Sequence, residues 1–350
     1  MSKGFRETTV SYLLAATALA ALLTPAARAD QAPPFKTIKE DTLQVCLYWG
    51  FPPFAIRKDT DWQGWDVAYL KKFANVNGIK NFVVIPKDFN DIWLEPGLGH
   101  CDIAGTGISD TEARRKQTAG KGVEWSNTYY HVLRSFNVRT ADFTQLTRIE
   151  DLRGRKAIVT QGSTAHSDLC YRLRSAGLHP CKKADGDHTC TLFPGLDASD
   201  ERSREEDPFC VFIEYPRNKQ EKCAAADIAN NKISPDDKDP GVPYAYGGGY
   251  GSVQDLSCGG GSGNDDCSYG EQTLATVWPH CNMAGDGIGY AEPFSFVVRA
   301  EDTGLAKALN CFIQDQKNYP YAGTPIPVLS PQCPTPPWTP PFTPDPTCNN

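Results

Sequence analysis

The chain has 350 residues, 40% of them apolar and 22% charged, a balance that suits a globular protein with room for about two domains. Its formal net charge of −7, with no basic block anywhere, argues against nucleic acid as a partner. Beyond the N-terminal run no stretch is apolar enough to cross a membrane.

In chain order, Lys3 and Arg6 precede "YLLAATALAALL", and Ala27 and Ala29 follow as small residues before Asp30. Charged start, apolar middle and A-x-A exit predict a signal peptide over 1–29, cleaved near Ala29, and hence export to the periplasm. No twin arginine is present, and no cysteine follows the cleavage site to take a lipid. All 13 cysteines lie after it. In an exported chain they predict a disulfide framework, with the odd count leaving one thiol over.

"LQVCL" at 43–47 reads as a strand that runs into the aromatic loop "YWGFPPF". "DWQGWD" precedes a helix, "VAYLKKFANVNG", in which Val67, Leu70 and Phe73 recur at helical spacing and Gly78 ends the run. "NFVVIP" (81–86) is the next strand, 88–99 a helix broken by Pro96, and "CDIAG" another strand. This alternation predicts an α/β sheet. After 124–142 the pattern restarts with a short helix, a strand over Lys156–Thr160, a glycine turn and a helix to Gly177. A polar, glycine- and cysteine-rich region follows over about 182–270. A strand and an amphipathic helix return in "GYAEPFSFVVRAEDTGLAKALNCFI", and the proline-rich tail reads as extended chain.

Within "GTGISDTEAR", Ser109 and Arg114 admit two readings. Ser109 can cap an ordinary surface helix. Alternatively, Ser109 and the helix start accept a small anion, with the Arg114 guanidinium as a bidentate fork for a carboxylate. Arg115 competes for that role by register. "QGSTAH" is a second capped turn, where Gly162 lets the backbone approach closely and Thr164 offers a hydroxyl.

Three segments in order carry a family resemblance: "LQVCLYWGFPPFAIRKDTDWQGWDVAYLKKFA", "IWLEPGLGHCDIAGTGISDTEARRKQTAGKGVEWSNTYY" and "IEDLRGRKAIVTQGSTAH". They resemble the family-3 solute-binding proteins, periplasmic receptors for polar amino acids. The resemblance covers 43–180 and roughly 286–320. It implies an α/β, two-lobed type II periplasmic-binding-protein fold with a disulfide-rich insertion (about 182–270) in the second lobe. Lobe 1 is expected over 40–138, lobe 2 over 143–288, the return to lobe 1 over 293–330 and the tail over 331–350. Hinges are expected near Val138–Asp142 and Ala291–Arg299.

The same resemblance implies a ligand site. Ser109, Arg114 and Thr164 would hold a ligand carboxylate, and Phe51 and Phe89 would sandwich its body, although such aromatics also serve as core. The Gly107 carbonyl and Asp227 would take an ammonium group. Tyr48 stands where receptors for cationic amino acids carry an aspartate. Trp49 and Trp65 are further aromatic candidates, Trp65 as a packing residue.

The implied function is capture of an amino acid or similar small carboxylate by closure of the lobes, for uptake through an ABC permease. A monomer is expected, with no cofactor and no metal. Histidines beside cysteines ("GHCD", "GDHTC", "WPHC") lack zinc-like spacing, and no C-x-x-C occurs. Two alternatives stay open. One is an enzyme of the cyclohexadienyl dehydratase type, with Glu292 or His280 as the acid. The other is an accessory or sensory protein that docks a periplasmic partner through its insertion and tail.

Overall fold

The computed structural model describes residues 35–58, 60–181, 190, 210–216, 220–232, 243–249, 253–254, 256–257, 267–282, 292–301 and 303–315, all within the unit Pro33–Asn350. The expected signal peptide, most of the 182–270 region and the proline-rich tail lie outside the described residues.

The first lobe is built on a five-stranded sheet. Strand β1 (Thr42–Tyr48) pairs in parallel with β5 (Asn81–Lys87) on one side and with β6 (Ile103–Ala104) on the other. Strand β13 (Glu292–Arg299) returns from late in the chain and pairs antiparallel with β6 and with β7 (Val123–Val132). The order is β5-β1-β6-β13-β7. A small antiparallel sheet formed by β2 (Gly50–Phe51), β3 (Ala55–Lys58) and β4 (Asp61–Gln63) folds the aromatic loop.

Helix α1 (Trp65–Val76) turns Val67, Leu70, Phe73 and Ala74 inward at helical spacing. It packs with the last helix, α5 (Thr303–Gln314), whose Leu305, Leu309, Phe312 and Ile313 are buried. Tyr69 and Phe73 of α1 meet Phe312 at centroid distances of 4.8 and 5.4 Å, and Tyr129 stacks on Phe296 at 4.1 Å. Trp65 stacks on both Tyr69 and Tyr129. A disulfide joins Cys46 in β1 to Cys101 just before β6.

The second lobe repeats the plan with its own five-stranded sheet. Strand β9 (Lys156–Val159) lies parallel between β10 (Phe212–Glu214) and β11 (Pro243–Gly249). Strand β8 (Arg134–Arg139) pairs antiparallel with β11 and with β12 (Leu274–His280). Helix α3 (Thr164–Ser175) follows β9, and α4 (Glu221–Ala229) packs on the sheet. Disulfides Cys170–Cys190, Cys181–Cys210 and Cys223–Cys267 pin this lobe, and Cys281 and Cys311 are also disulfide-bonded.

Two local expectations differ from the structure. Residues 88–99 hold only a 3-10 turn at Ile92–Leu94, because Asp91 before it is left-handed (φ 61°) and Pro96 follows at once. The first passage between sheets falls at Leu133, earlier than Val138–Asp142, since β8 already belongs to the second sheet. The apolar alternation runs on through this break, so one long run feeds two sheets. Helix α2 (Glu112–Thr118) closes the first lobe beside β6.

Candidate functional site

The parallel strands of both lobes aim their carboxyl ends at one cavity. This is where open α/β sheets leave a crevice. β1 delivers Tyr48, the turn after β5 delivers Phe89, and the turn after β6 delivers Gly107 and Ser109. From the other lobe come Thr160 to Ala165 after β9 and Gly247–Gly249 at the end of β11. The cavity and its mouth to solvent together hold about 350 Å³ of atom-free space. Its apolar walls are Phe51, Phe89, Phe294 and the rings of Tyr48 and Tyr246.

The turn after β6 is held from behind by Asp66. This fully buried carboxylate accepts from the backbone N–H of Thr106 (2.7 Å) and Gly107 (2.9 Å) and from the Tyr129 hydroxyl (2.9 Å). Burial raises its pKa, those three donors offset part of the rise, and the carboxyl is left pushed up to about 7. Gly107 has φ +55°, and a Cβ there would sit 2.4 Å from Cε1 of Phe51, so only glycine fits beneath that ring.

Both turn hydroxyls face the cavity because other residues cap the helices. Thr111, not Ser109, caps α2, accepting from the Arg114 N–H at 3.2 Å. Ser163 caps α3, accepting from the His166 N–H at 3.2 Å, which leaves the next residue, Thr164, to point into the cleft. The Ser109 and Thr164 hydroxyl oxygens then lie 2.9 Å apart across the two lobes.

Between them sits the carboxylate of Glu292, fully buried at the start of β13. Its Oε1 accepts from Ser109 and, at 2.5 Å, from Thr164. Its Oε2 accepts from Nε of Arg134 at 2.8 Å, from Nη2 of the same guanidinium and from the Asn282 amide. Arg134 opens β8 of the second sheet and Glu292 opens β13 of the first, so this buried ion pair ties the two sheets together.

The model of the bacterial extracellular solute-binding proteins, family 3, matches residues 43–320. The chain belongs to that family. As a solute-binding protein it shares its type II fold with solved structures of low identity. An ancestral arginine-binding protein bound to arginine is 19% identical over 79% of this chain and 95% of its own, with a TM-score of 0.52. An amino acid ABC transporter substrate-binding protein from Streptococcus pneumoniae, bound to L-arginine, is 15% identical over 79% and 89%, with a TM-score of 0.50. An ancestral amino acid-binding protein described as a precursor of cyclohexadienyl dehydratase is 16% identical over 79% and 90%, with a TM-score of 0.50. No curated protein matches the sequence.

Of the residues that the resemblance implied for this solute-binding protein, Phe51, Phe89, Gly107, Ser109 and Thr164 line the cavity, whereas Arg114 and Asp227 do not. The Arg114 guanidinium lies behind the wall. It donates to the Ser109 carbonyl at 2.9 Å and, across the cleft, to the Gly162 carbonyl at 3.1 Å. It stacks on Trp93 at 4.1 Å and reaches the Phe89 ring at 5.6 Å. The guanidinium that meets the cavity is that of Arg134. Asp227 is buried further along α4, and the carboxylate of α4 that reaches the wall is Glu221, in its first turn.

Glu221 accepts from the Thr160 hydroxyl at 3.1 Å. Burial first, and then the neighbouring Glu221 charge, hold the phenols of Tyr48 and Tyr246 well above their ordinary pKa. His280 does not line the cavity; it stacks on Trp278 and meets Asp168 at 3.0 Å. Among the described residues no group of side chains is arranged to hold a metal ion, and no helix is long and apolar enough to cross a membrane.

Arg134 and Glu221 are the charged cavity residues that the sequence reading passed over. A lone arginine inside the apolar run "HVLRSFNV" was the available signal for the first. An acid opening the helix "EKCAAADIA" reads as ordinary first-turn chemistry and gave none for the second.

Proposed function

We propose that this protein is a periplasmic binding protein, not an enzyme, which closes its two lobes on a small organic solute and passes it to an ABC permease. The solute is an amino acid or an organic ion of similar size. The observation that carries this reading is the convergence of Ser109 from one lobe and Thr164 from the other on a single carboxylate beside an aromatic-walled cavity. Polar groups split between two lobes bind a ligand only when the lobes come together, which couples recognition to closure. The Arg134–Glu292 ion pair links a strand of each sheet beside that cleft.

The dehydratase-type alternative needs a proton donor in the cleft. Glu292, the acid that the sequence offered for this role, is not among the cavity-lining residues and is committed through Oε2 to the N–H groups of Arg134 and Asn282, which can only donate to it. That arrangement suits a fixed hydrogen-bond acceptor. Incubation with prephenate or arogenate is expected to give no product.

A thermal-shift screen of the exported protein against amino acids, small carboxylates and small amines tests the binding reading. A ligand at about 100 times its Kd adds about 2.7 kcal/mol of stability. At least one class is expected to raise the unfolding midpoint in this way. A flat response across all classes overturns the proposal.

A further inference from the structure

In a cleft that recognises a carboxylate, hydroxyls from both lobes and a guanidinium wait for the ligand's anionic end. Here Ser109, Thr164 and Arg134 already hold one, and it belongs to the chain. Glu292 is 0% exposed, and Asn282 completes its set of donors. A second carboxylate brought to the same spot meets a buried like charge with its donors already engaged, a juxtaposition that strongly disfavours binding.

The rest of the wall favours the opposite sign. Glu221 places a carboxylate on the cavity wall, beside the rings of Tyr48 and Tyr246. Phe51 and Phe89 face the same space, and aromatic faces attract cations that have shed water. The charged residues on the cavity wall are one carboxylate, Glu221, and one guanidinium, Arg134, and Arg134 is already paired with the Glu292 carboxylate buried behind the wall.

We infer that the solute is a compact organic cation with no carboxylate, an amine, guanidinium or alkylammonium held by Glu221 and the surrounding rings, while Glu292 permanently fills the carboxylate socket. This inference rests on the reading of the cavity as the ligand site and names the class of solute it takes. Glu292 is then the residue that sets specificity, by excluding the free amino acid.

The test uses matched pairs that differ by one carboxylate. The full exported chain is titrated calorimetrically with arginine against agmatine, and with lysine against cadaverine, with choline and propionate as single-charge probes. The decarboxylated member of a pair is expected to bind at least about tenfold tighter than its amino acid, and propionate not at all. Glu221→Gln is expected to weaken the amine at least about tenfold. Glu292→Ala, which empties the socket, is expected to narrow or reverse the preference within each pair. The thermal midpoint of each variant is measured alongside, and if Glu292→Ala does not fold, Glu221→Gln still decides. Amino acids that bind as tightly as their amines, or amine binding that is untouched by Glu221→Gln, overturn the inference and leave the binding function standing. Silence from every probe, cationic, zwitterionic and anionic, overturns both.

Discussion

Ser109 and Thr164 face each other from separate lobes with hydroxyl oxygens 2.9 Å apart, and both donate to the same buried carboxylate, that of Glu292. The contact joins three chain segments far apart in sequence. It also ties the cleft to both sheets, because Glu292 of β13 carries the ion pair with Arg134 of β8 on its other oxygen.

Arg134→Ala leaves Glu292 buried without its cation. Removing one partner of a buried pair costs about 3–5 kcal/mol, far more than the pair is worth against apolar packing. Denaturant unfolding is expected to show a loss of that size. A change below about 1 kcal/mol would mean that the pair is solvated and of little structural weight.

Arg114→Ala is expected to weaken arginine and agmatine by the same factor. Its guanidinium donates to the Ser109 and Gly162 carbonyls, one on each lobe, and Arg114 is not among the cavity-lining residues. Loss of affinity confined to the carboxylate-bearing member of the pair contradicts this placement.

Asp66 predicts a pH dependence of stability. Its carboxyl lies near 3.8 in the unfolded chain and about 7 in the folded protein. Between those values the native state holds a proton that the unfolded state lacks, so this group's contribution is largest at low pH and falls as pH rises towards 7. In unfolding titrations at about pH 5 and about pH 8, Asp66→Asn is expected to lose less stability over the interval than the wild type. Identical slopes for the two proteins overturn the assignment.

The Cys46–Cys101 disulfide closes a segment with a sequence separation of 55. A loop of that length predicts about 4 kcal/mol of stabilisation through the unfolded chain. The double serine variant is expected to fall by that order in chemical unfolding, since β1 and β6 are paired strands that gain no new contact from the bond. A variant as stable as the parent contradicts it.

Much of the fold was legible because local chemistry decides it. Helices α1 and α5 show apolar residues at helical spacing, and β1 and β5 are short apolar runs ended by turn residues. The passage at Leu133 was not legible, since nothing in "YYHVLRSFNVR" interrupts the strand pattern when the chain changes sheets. The site was half legible for a similar reason. Gly107, Ser109 and Thr164 sit in turns with local signatures. Arg134 and Glu292 are 158 residues apart and become a pair only when the starts of β8 and β13, one strand of each sheet, meet. Asp227 and Glu221 share one helix, and only the packing of α4 against the cavity decides which of them arrives there.

A crystal structure with the tightest ligand from the titrations tests the central claim most directly. The account predicts ligand density inside the cavity between Phe51 and Phe89. It places the ligand's cationic group against Glu221 and leaves Glu292 still bonded to Ser109, Thr164 and Arg134. Density outside the cavity, or a ligand carboxylate in the place of Glu292, contradicts it.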